Sequence, residues 1–184
     1  MRRARLLWQL YASYLAITLL SLAAVTMYAS ASLRQAYLGQ AQVELQERAA
    51  LLRPQLSQTF HEQGAEALDR LVKELSGARE TRITVILPSG TVVADSEEDP
   101  ADMKDHSNRP EIVQALKGGA GSDMRISPTL RIRMIYTAIP MTENGQVWAV
   151  LRTAVPLASL DHVLHGIYRR IVLGGVLVAV VAAG

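Results

Sequence analysis

The sequence contains no cysteine, so neither a disulfide framework nor a cysteine-based metal site can form. It also lacks a nucleophile elbow and a kinase signature, and Gly118–Gly121 is not a phosphate-binding loop because no Lys-Ser/Thr follows at the required spacing. The four histidines are scattered, and only His162 and His165 lie close enough to share one helix face. We therefore expect no enzymatic activity, no metal site built on cysteine or histidine and no cofactor within these 184 residues.

Acidic residues are missing from both ends of the chain. All seventeen lie between Glu44 and Asp161, whereas the first 33 residues carry three arginines and no acid. Residues 34–168 carry 14 basic and 17 acidic side chains, a net charge of −3. The basic character of the chain thus comes from its ends. Because nucleic-acid binding needs clustered Lys and Arg, we expect no nucleic-acid partner.

Two long uncharged runs indicate a membrane protein. Leu6–Leu33 is 28 residues without a charge, and about 20 apolar residues span a bilayer. Three arginines precede this run, so the positive-inside rule predicts a cytoplasmic N-terminus and an extracytoplasmic continuation. Small residues at Ala29–Ala31 leave a cleaved signal peptide as the alternative, but the run exceeds the about 7–15 residues of a signal core. Ile171–Gly184, 14 uncharged residues, predicts a truncated second transmembrane helix and hence a fragment of a longer protein.

Residues 34–76 have the apolar periodicity of helices. A break is expected at Pro54, as a kink or a new helix start, because proline removes a backbone donor. Gly77 is a predicted C-cap. The apolar face either packs on the chain's own sheet or pairs with a second copy. Its residues are Leu38, Leu45, Ala49, Leu52, Leu56 and Phe60.

The segment Ile83–Ser96 predicts a β-hairpin, because two β-branched runs flank the turn residues Pro88, Ser89 and Gly90. A short helix is expected from Pro110, since proline suits the first helical turn. Three further strands complete a mostly antiparallel sheet. Their predicted ranges are Asp123–Ser127, Arg131–Ile139 (ended by Pro140) and, after an Asn144-Gly145 turn, Val147–Val155, followed by a helix over Pro156–His165.

The loop after the hairpin is a candidate ligand-binding site, because Asp95–Asp105 holds six acids in eleven residues. Three interpretations stay open: a solvated loop, a divalent cation bound through carboxylate oxygens, and a signal-binding loop. Surface pairing with arginines would contribute only about 0–1 kcal/mol per pair, and the available partners are Arg109, Arg125, Arg131 and Arg133. The candidate signal-binding residues are Asp95, Glu97, Glu98, Asp99, Asp102, Asp105, His106 and Arg109.

The stretch from Gly90 to Pro140 resembles the extracytoplasmic sensor region of PhoR-type sensor histidine kinases. The residues that carry the resemblance are Gly90, Ala94–Ser96, Met103, His106, Arg109–Glu111, Gly118–Gly121, Arg125, Ser127, Met134–Tyr136, Ala138 and Pro140. It covers about residues 80–160 and implies an α+β, PAS-like (Cache-like) fold. Such a fold has a central antiparallel sheet of about five strands and a long N-terminal helix, here flanked by two transmembrane helices, the second truncated.

The resemblance implies the signal-sensing domain of a membrane-bound two-component sensor histidine kinase, which relays a signal through its helices. It implies a homodimer in the cytoplasmic (inner) membrane with about residues 34–168 in the periplasm. ATP and Mg would belong to a missing kinase domain that acts on a cognate response regulator. The signal would be an envelope partner protein or a small ligand. Alternatives are a chemoreceptor or nucleotide-cyclase receptor, or an anchored interaction module without signalling.

The resulting domain prediction has four parts. Residues 1–33 form the cytoplasmic N-terminus and transmembrane helix 1, and residues 34–78 form the helical stalk and first helices of the sensor. Residues 79–160 form the PAS-like core, and residues 161–184 form the juxtamembrane helix with the start of transmembrane helix 2.

Overall fold

The computed structural model describes residues 2–76, 81–127, 131–157, 166, 169 and 172–175. The chain divides into two units, one made of Met1–Leu38 with Ser159–Gly184 and one made of Gly39–Ala158. The elements in chain order are α1 (Arg2–Gln63), α2 (Ala65–Ser76), β1 (Arg82–Ile86), β2 (Val92–Asp95), a 3-10 turn (Pro100–Asp102), α3 (Pro110–Leu116), β3 (Gly121–Ile126), β4 (Arg133–Glu143) and β5 (Gln146–Pro156).

Helix α1 runs through Pro54 without interruption, so the prediction of a new helix start there was wrong. Proline removes one backbone hydrogen bond, whereas Ala49 and Leu56 on either side of it are fully buried and hold the helix against the sheet. The helix ends instead at Gln63, and the next residue, Gly64, has a φ of +84°, a conformation that glycine adopts without a Cβ penalty. Helix α2 then begins at once.

The N-terminal part of α1 is apolar. Among the described residues, one helical segment, Ser13–Gln63, contains a window long and apolar enough to cross a membrane by length and composition. Large side chains along it are exposed, including Leu20 and Tyr28. The Gly77 cap lies outside the described residues, as do nearly all of the predicted helix after Pro156 and most of the second uncharged run.

The five strands form one antiparallel sheet in the order β2-β1-β5-β4-β3, which confirms the predicted α+β class and strand number. The predicted first hairpin is present, with Thr84 opposite Asp95 and a turn at Gly90, where φ is +90°. The Asn144-Gly145 turn joins β4 to β5, and both residues have positive φ, 51° and 80°, as two-residue hairpin turns require.

Strand β4 does not end at Pro140 as predicted, but continues to Glu143. Pairing of β3 with β4 begins at Gly121 opposite Ala138, so β4 is an edge strand beyond that point while Pro140 still pairs with Val150 of β5. Proline is tolerated at an edge because its missing N–H needs no partner there.

Helices cover both faces of the sheet. On one face, Leu56 of α1 and Leu68 of α2 are buried in the cluster that contains Val85 and Leu151. The Thr153 hydroxyl donates to the Leu45 carbonyl oxygen of α1 at 3.1 Å. On the other face, Ile112 and Ala115 of α3 pack with Ile86 and Val150.

Because side chains alternate along a strand, the neighbours of Val85 and Leu151 point to the α3 face. Arg82, Thr84 and Arg152 are therefore on that face, and all three are buried. A charged strand residue in the interior needs a partner, and the partners define the site described next.

Candidate functional site

A cavity of about 250 Å³ lies on the α3 face of the sheet, beside the loop that follows β2. Strands β1, β3, β4 and β5 and that loop supply its walls. Its acidic lining residues are Glu98 and Asp102, and its neutral ones include Met103, Ser127 and Tyr136. Its basic lining residues are Arg82, Lys104, His106, Arg109, Arg125 and Arg152.

Glu111, at the start of α3, organises one wall of the cavity. Its carboxylate is fully buried and accepts two hydrogen bonds of 2.7 Å from the Arg125 guanidinium. Arg152 Nη1 lies 3.7 Å from the same carboxylate. The Tyr136 ring lies 3.9 Å from the Arg125 guanidinium carbon and 5.2 Å from that of Arg152. Asp123 adds a 2.6 Å ion pair with Arg125.

The charges of these two arginines respond differently to their surroundings. Burial is the largest single effect on Arg125 and lowers its pKa, but the hydrogen bonds and charges of Glu111 and Asp123 together outweigh burial and raise the pKa of Arg125. Burial, helped by the neighbouring charges of Arg82 and Arg125, lowers the pKa of Arg152 to about 10 against the attraction of Glu111 and Asp95. Arg152 thus carries a guanidinium whose charge is only partly compensated.

Asp95 organises the opposite wall. Both of its oxygens accept from Arg82 Nε at 3.1 Å, and it also accepts from the Thr84 hydroxyl at 2.7 Å. The main-chain N–H groups of Glu97 and Glu98 donate to it at 2.9 and 3.1 Å. Asp95 is therefore a buried structural carboxylate, and both of its oxygens already accept hydrogen bonds from groups of the protein.

His106 closes the cavity from the loop side and is buried. Its Nδ1 lies 2.5 Å from the Lys104 carbonyl oxygen, which assigns a proton to Nδ1 and leaves Nε2 as an acceptor in the neutral ring. Burial, followed by the charges of Arg152, Arg109 and Arg125, lowers the pKa of His106 below its ordinary value, although the Lys104 carbonyl opposes this.

The loop is held in place by its contact with the first hairpin. The main-chain N–H of His106 donates to the Gly90 carbonyl oxygen at 3.0 Å. The Asp105 carboxylate accepts from the main-chain N–H of Ser107 at 2.7 Å. A Cβ at Gly90 would lie 1.7 Å from Asp105 Oδ1. The turn therefore needs glycine both for its positive φ and for the close approach of the loop.

The structure brings half of the predicted signal-binding residues to the cavity. Glu98, Asp102, His106 and Arg109 line it.

The other four predicted residues have local roles. Asp95 and Glu97 pair with Arg82, Asp99 accepts from the Ala101 N–H to cap the 3-10 turn, and Asp105 shapes the loop.

Three acids of the loop are engaged in ion pairs. Arg82, which was not among the expected partners, pairs with Asp95, Glu97 and Glu98 at 3.0 to 3.3 Å. Arg125 pairs instead with Glu111 and Asp123. Within the described ranges, no group of three or more His, Asp or Glu side chains is arranged to hold a metal ion.

Sequence reasoning missed four basic residues of the site: Arg82, Lys104, Arg125 and Arg152. The available signal was the position of two arginines inside apolar strands: Arg152 alternates with Val150 and Ala154, and Arg82 precedes Ile83. A charged residue in the middle of a buried strand indicates a buried partner or a polar cavity.

No family model and no curated protein matches the chain, but solved structures do. The sensor domain of the V. cholerae histidine kinase DctB is 15% identical over 70% of this chain and 59% of that one, with a TM-score of 0.50. The sensory domain of the Campylobacter jejuni chemoreceptor Tlp3, with isoleucine bound, is 14% identical over 76% and 60%, with a TM-score of 0.58. The E. coli DcuS sensor domain is 14% identical over 68% and 95%, with a TM-score of 0.51.

These similarities concern the fold. The chain spans about 60% of the length of the DctB and Tlp3 structures. All three neighbours are sensor domains rather than catalytic ones, and none is named as PhoR-type. The chain therefore has the Cache-like α+β fold found in sensor domains of histidine kinases and chemoreceptors, with its charged cavity beside the sheet.

Proposed function

We propose that this chain is the signal-sensing, extracytoplasmic part of a membrane-bound two-component sensor histidine kinase, and that the cavity receives the signal. The observation that carries this proposal is a cavity of about 250 Å³ lined by charged side chains from three strands and one loop. Binding cavities commonly combine a concave shape with a few convergent polar groups and perturbed pKa values. The cavity occurs in a fold shared with sensor domains.

The proposal extends to the whole protein. The parent is a homodimeric protein-histidine kinase of the PhoR type in the inner membrane, with ATP and Mg in a separate kinase region that serves a response regulator. Its four segments are residues 1–33, 34–78, 79–160 and 161–184, with about 34–168 in the periplasm. The apolar part of α1 supports the anchor.

Strand β5 offers a route from the cavity to α1. Arg152 projects into the cavity, and the next residue, Thr153, projects from the opposite face and donates to the Leu45 carbonyl oxygen of α1. A ligand that shifts Arg152 therefore displaces β5 against α1. The same helix, α1, contains the apolar segment at its N-terminal end. Small shifts between packed helices and sheets can act as two-state switches.

Cysteine labelling tests the proposed location. Because the chain has no cysteine, Leu51→Cys on the exposed side of α1 provides a single reactive thiol. We expect a membrane-impermeant maleimide to label it in intact spheroplasts, whereas Arg3→Cys, ahead of the apolar run, is labelled only after lysis. Labelling of Leu51→Cys only after lysis contradicts an extracytoplasmic domain.

Autophosphorylation of the full-length receptor in membrane vesicles tests the proposed output. Thr153→Val removes the hydroxyl that bonds to α1 but keeps the side-chain volume, so we expect basal phosphorylation to change by about twofold or more. Thr142→Val, an exposed substitution on β4, is the matched control. Equal phosphorylation of the two variants and the wild type would exclude this route.

A chemoreceptor is the second candidate, favoured by the similarity to Tlp3. The residues that follow 184 in the full-length protein decide between the two: a phosphoacceptor-histidine helix supports the kinase, and a long antiparallel coiled coil supports the chemoreceptor. The same residues distinguish these two from the remaining alternatives, a nucleotide-cyclase receptor and an anchored module without signalling.

A further inference from the structure

We infer that the cavity binds a small anion and takes up a proton on His106 when the anion binds. This inference rests on the proposed role of the cavity as the signal site. It reverses the expectation from the acidic loop, since the groups left available in the cavity are, apart from Asp102, hydrogen-bond donors and cations.

The carboxylates near the cavity are already committed. Glu111 accepts from Arg125 and lies near Arg152, and Asp95 accepts from Arg82, Thr84 and two main-chain N–H groups. Glu98 pairs with Arg82. Asp102 is the lining carboxylate that remains, and it is exposed.

The basic groups are not committed to the same extent. Within the described residues, Lys104 and Arg109 have no side-chain ion pair, and both line the cavity. Arg125 Nε and Arg152 Nε are buried N–H donors without a hydrogen-bond partner in that part of the chain, and Arg152 is only 3% exposed. Buried donors without an acceptor are costly, and the planar guanidinium matches carboxylate-like and phosphate-like anions.

The size of the cavity limits the anion. About 250 Å³ is below the roughly 300–1,000 Å³ of pockets that hold drug-sized ligands. The occupant is therefore compact, in the range of a mono- or dicarboxylate, a sulfate or a phosphate group.

His106 is the group that takes up the coupled proton. Its Nε2 has a free lone pair because Nδ1–H donates to the Lys104 carbonyl. An anion placed among the arginines cancels the repulsion that disfavours the imidazolium, so the ring gains a proton as the anion binds. The charged or titratable groups that line the cavity around it are Arg82 of β1, Arg125 of β3, Tyr136 of β4, Arg152 of β5, and Lys104 and Arg109 of its own loop, with Glu98 and Asp102 as the acids.

Calorimetry of the full chain in detergent micelles tests the anion, with sulfate and malonate as probes and alanine as a zwitterionic comparison. We expect sulfate and malonate to bind. Arg109→Ala should weaken both by about tenfold or more, since one charge-assisted contact is lost. Arg133→Ala removes an exposed arginine of β4 outside the cavity and should leave the affinity unchanged.

Sulfate also tests the proton, because it does not itself titrate near neutral pH. Titrations at about pH 6, in two buffers of different ionisation enthalpy, count the protons taken up per sulfate. We expect uptake by the wild type and by His61→Asn, and an affinity that weakens up to about tenfold per unit of rising pH in the linked range. His106→Asn retains a donor for the Lys104 carbonyl, and we expect it to bind sulfate without proton uptake.

Each contrary result overturns a defined part of the inference. No heat with sulfate or malonate at about 50 mM, or binding that Arg109→Ala leaves unchanged, rejects the anion site. Binding of alanine instead, lost in Arg109→Ala, rejects the ligand class but leaves the cavity as a signal site. Sulfate binding without proton uptake in the wild type rejects the role of His106. Failure of the proposed function is detected separately, by labelling from the wrong side or by unchanged phosphorylation.

Discussion

Replacing Glu111 by glutamine removes the carboxylate that holds the half-buried Arg125 and the buried Arg152. The carboxylate is fully buried and accepts two hydrogen bonds of 2.7 Å from Arg125, with Arg152 Nη1 at 3.7 Å. Breaking a buried ion pair on one side costs about 3–5 kcal/mol, because the remaining charge stays buried. Glutamine keeps one acceptor oxygen and Arg125 keeps Asp123, so we expect a loss of about 3 kcal/mol of unfolding free energy.

Urea unfolding of the full chain in detergent micelles measures this loss, since urea does not screen charge. Trp148 contacts Phe60 in the core and reports the transition, with Trp8→Phe as the common background. Glu143→Gln is the matched control, because that side chain is 56% exposed and its one ion pair within the described residues is with His61. We expect this control to lose less than about 0.5 kcal/mol.

A double-mutant cycle separates the ion pair from general damage to the fold. Arg152→Met replaces the poorly compensated guanidinium by an apolar side chain, so adding Glu111→Gln to it should cost less than in the wild type. We expect a coupling energy of about 1–2 kcal/mol. A single-variant loss below about 1 kcal/mol, or a coupling near zero, refutes the assignment of Glu111 as the shared counter-ion.

Three further predictions concern the fold and its pH dependence. Gly90→Ala forces a side chain to within 1.7 Å of Asp105 Oδ1 at a φ of +90°, so we expect a lower melting temperature and faster proteolysis of the loop. Leu56→Ala empties a fully buried site and should cost about 2–5 kcal/mol in urea unfolding, whereas Leu51→Ala, 80% exposed, should cost less than about 0.5. Because the folded-state pKa of His106 lies below 6.5, the unfolded chain binds more protons, so wild-type stability should fall as pH drops through about 6.5. A melting-temperature profile of His106→Asn that falls as steeply as the wild-type profile would contradict this.

Four of the eleven residues that line the cavity were predicted from the sequence, but the sign of the site was not. The run of acids drew attention to the loop from Asp95 to Arg109, and His106 and Arg109 do line the cavity. The same acids concealed the sign of the site, because Arg82, 13 residues before Asp95 in sequence, pairs with three of them: Asp95 in the interior, and Glu97 and Glu98 nearer the surface. Local charge patterns do not reveal partners that strand pairing brings together.

Errors in the element boundaries have the same origin. The local rule for proline predicted a break at Pro54 and a strand end at Pro140. Tertiary packing kept α1 continuous around Pro54, and the free edge of β4 accommodated Pro140. Propensity is a weak prior that packing overrides.

The sequence by itself determined the local structure: the uncharged N-terminal run, the helical periodicity of residues 34–76, and the hairpins at Gly90 and Gly145. Periodicity and turn chemistry act between near neighbours, so they can be read along the chain. Only the tertiary structure decided that Arg152 and Glu111, 41 positions apart, lie on the same face of the sheet. Strand order sets which charges meet in the interior, and burial makes each uncompensated charge costly in free energy. The cavity, with its excess of donors, is therefore a property of the folded chain.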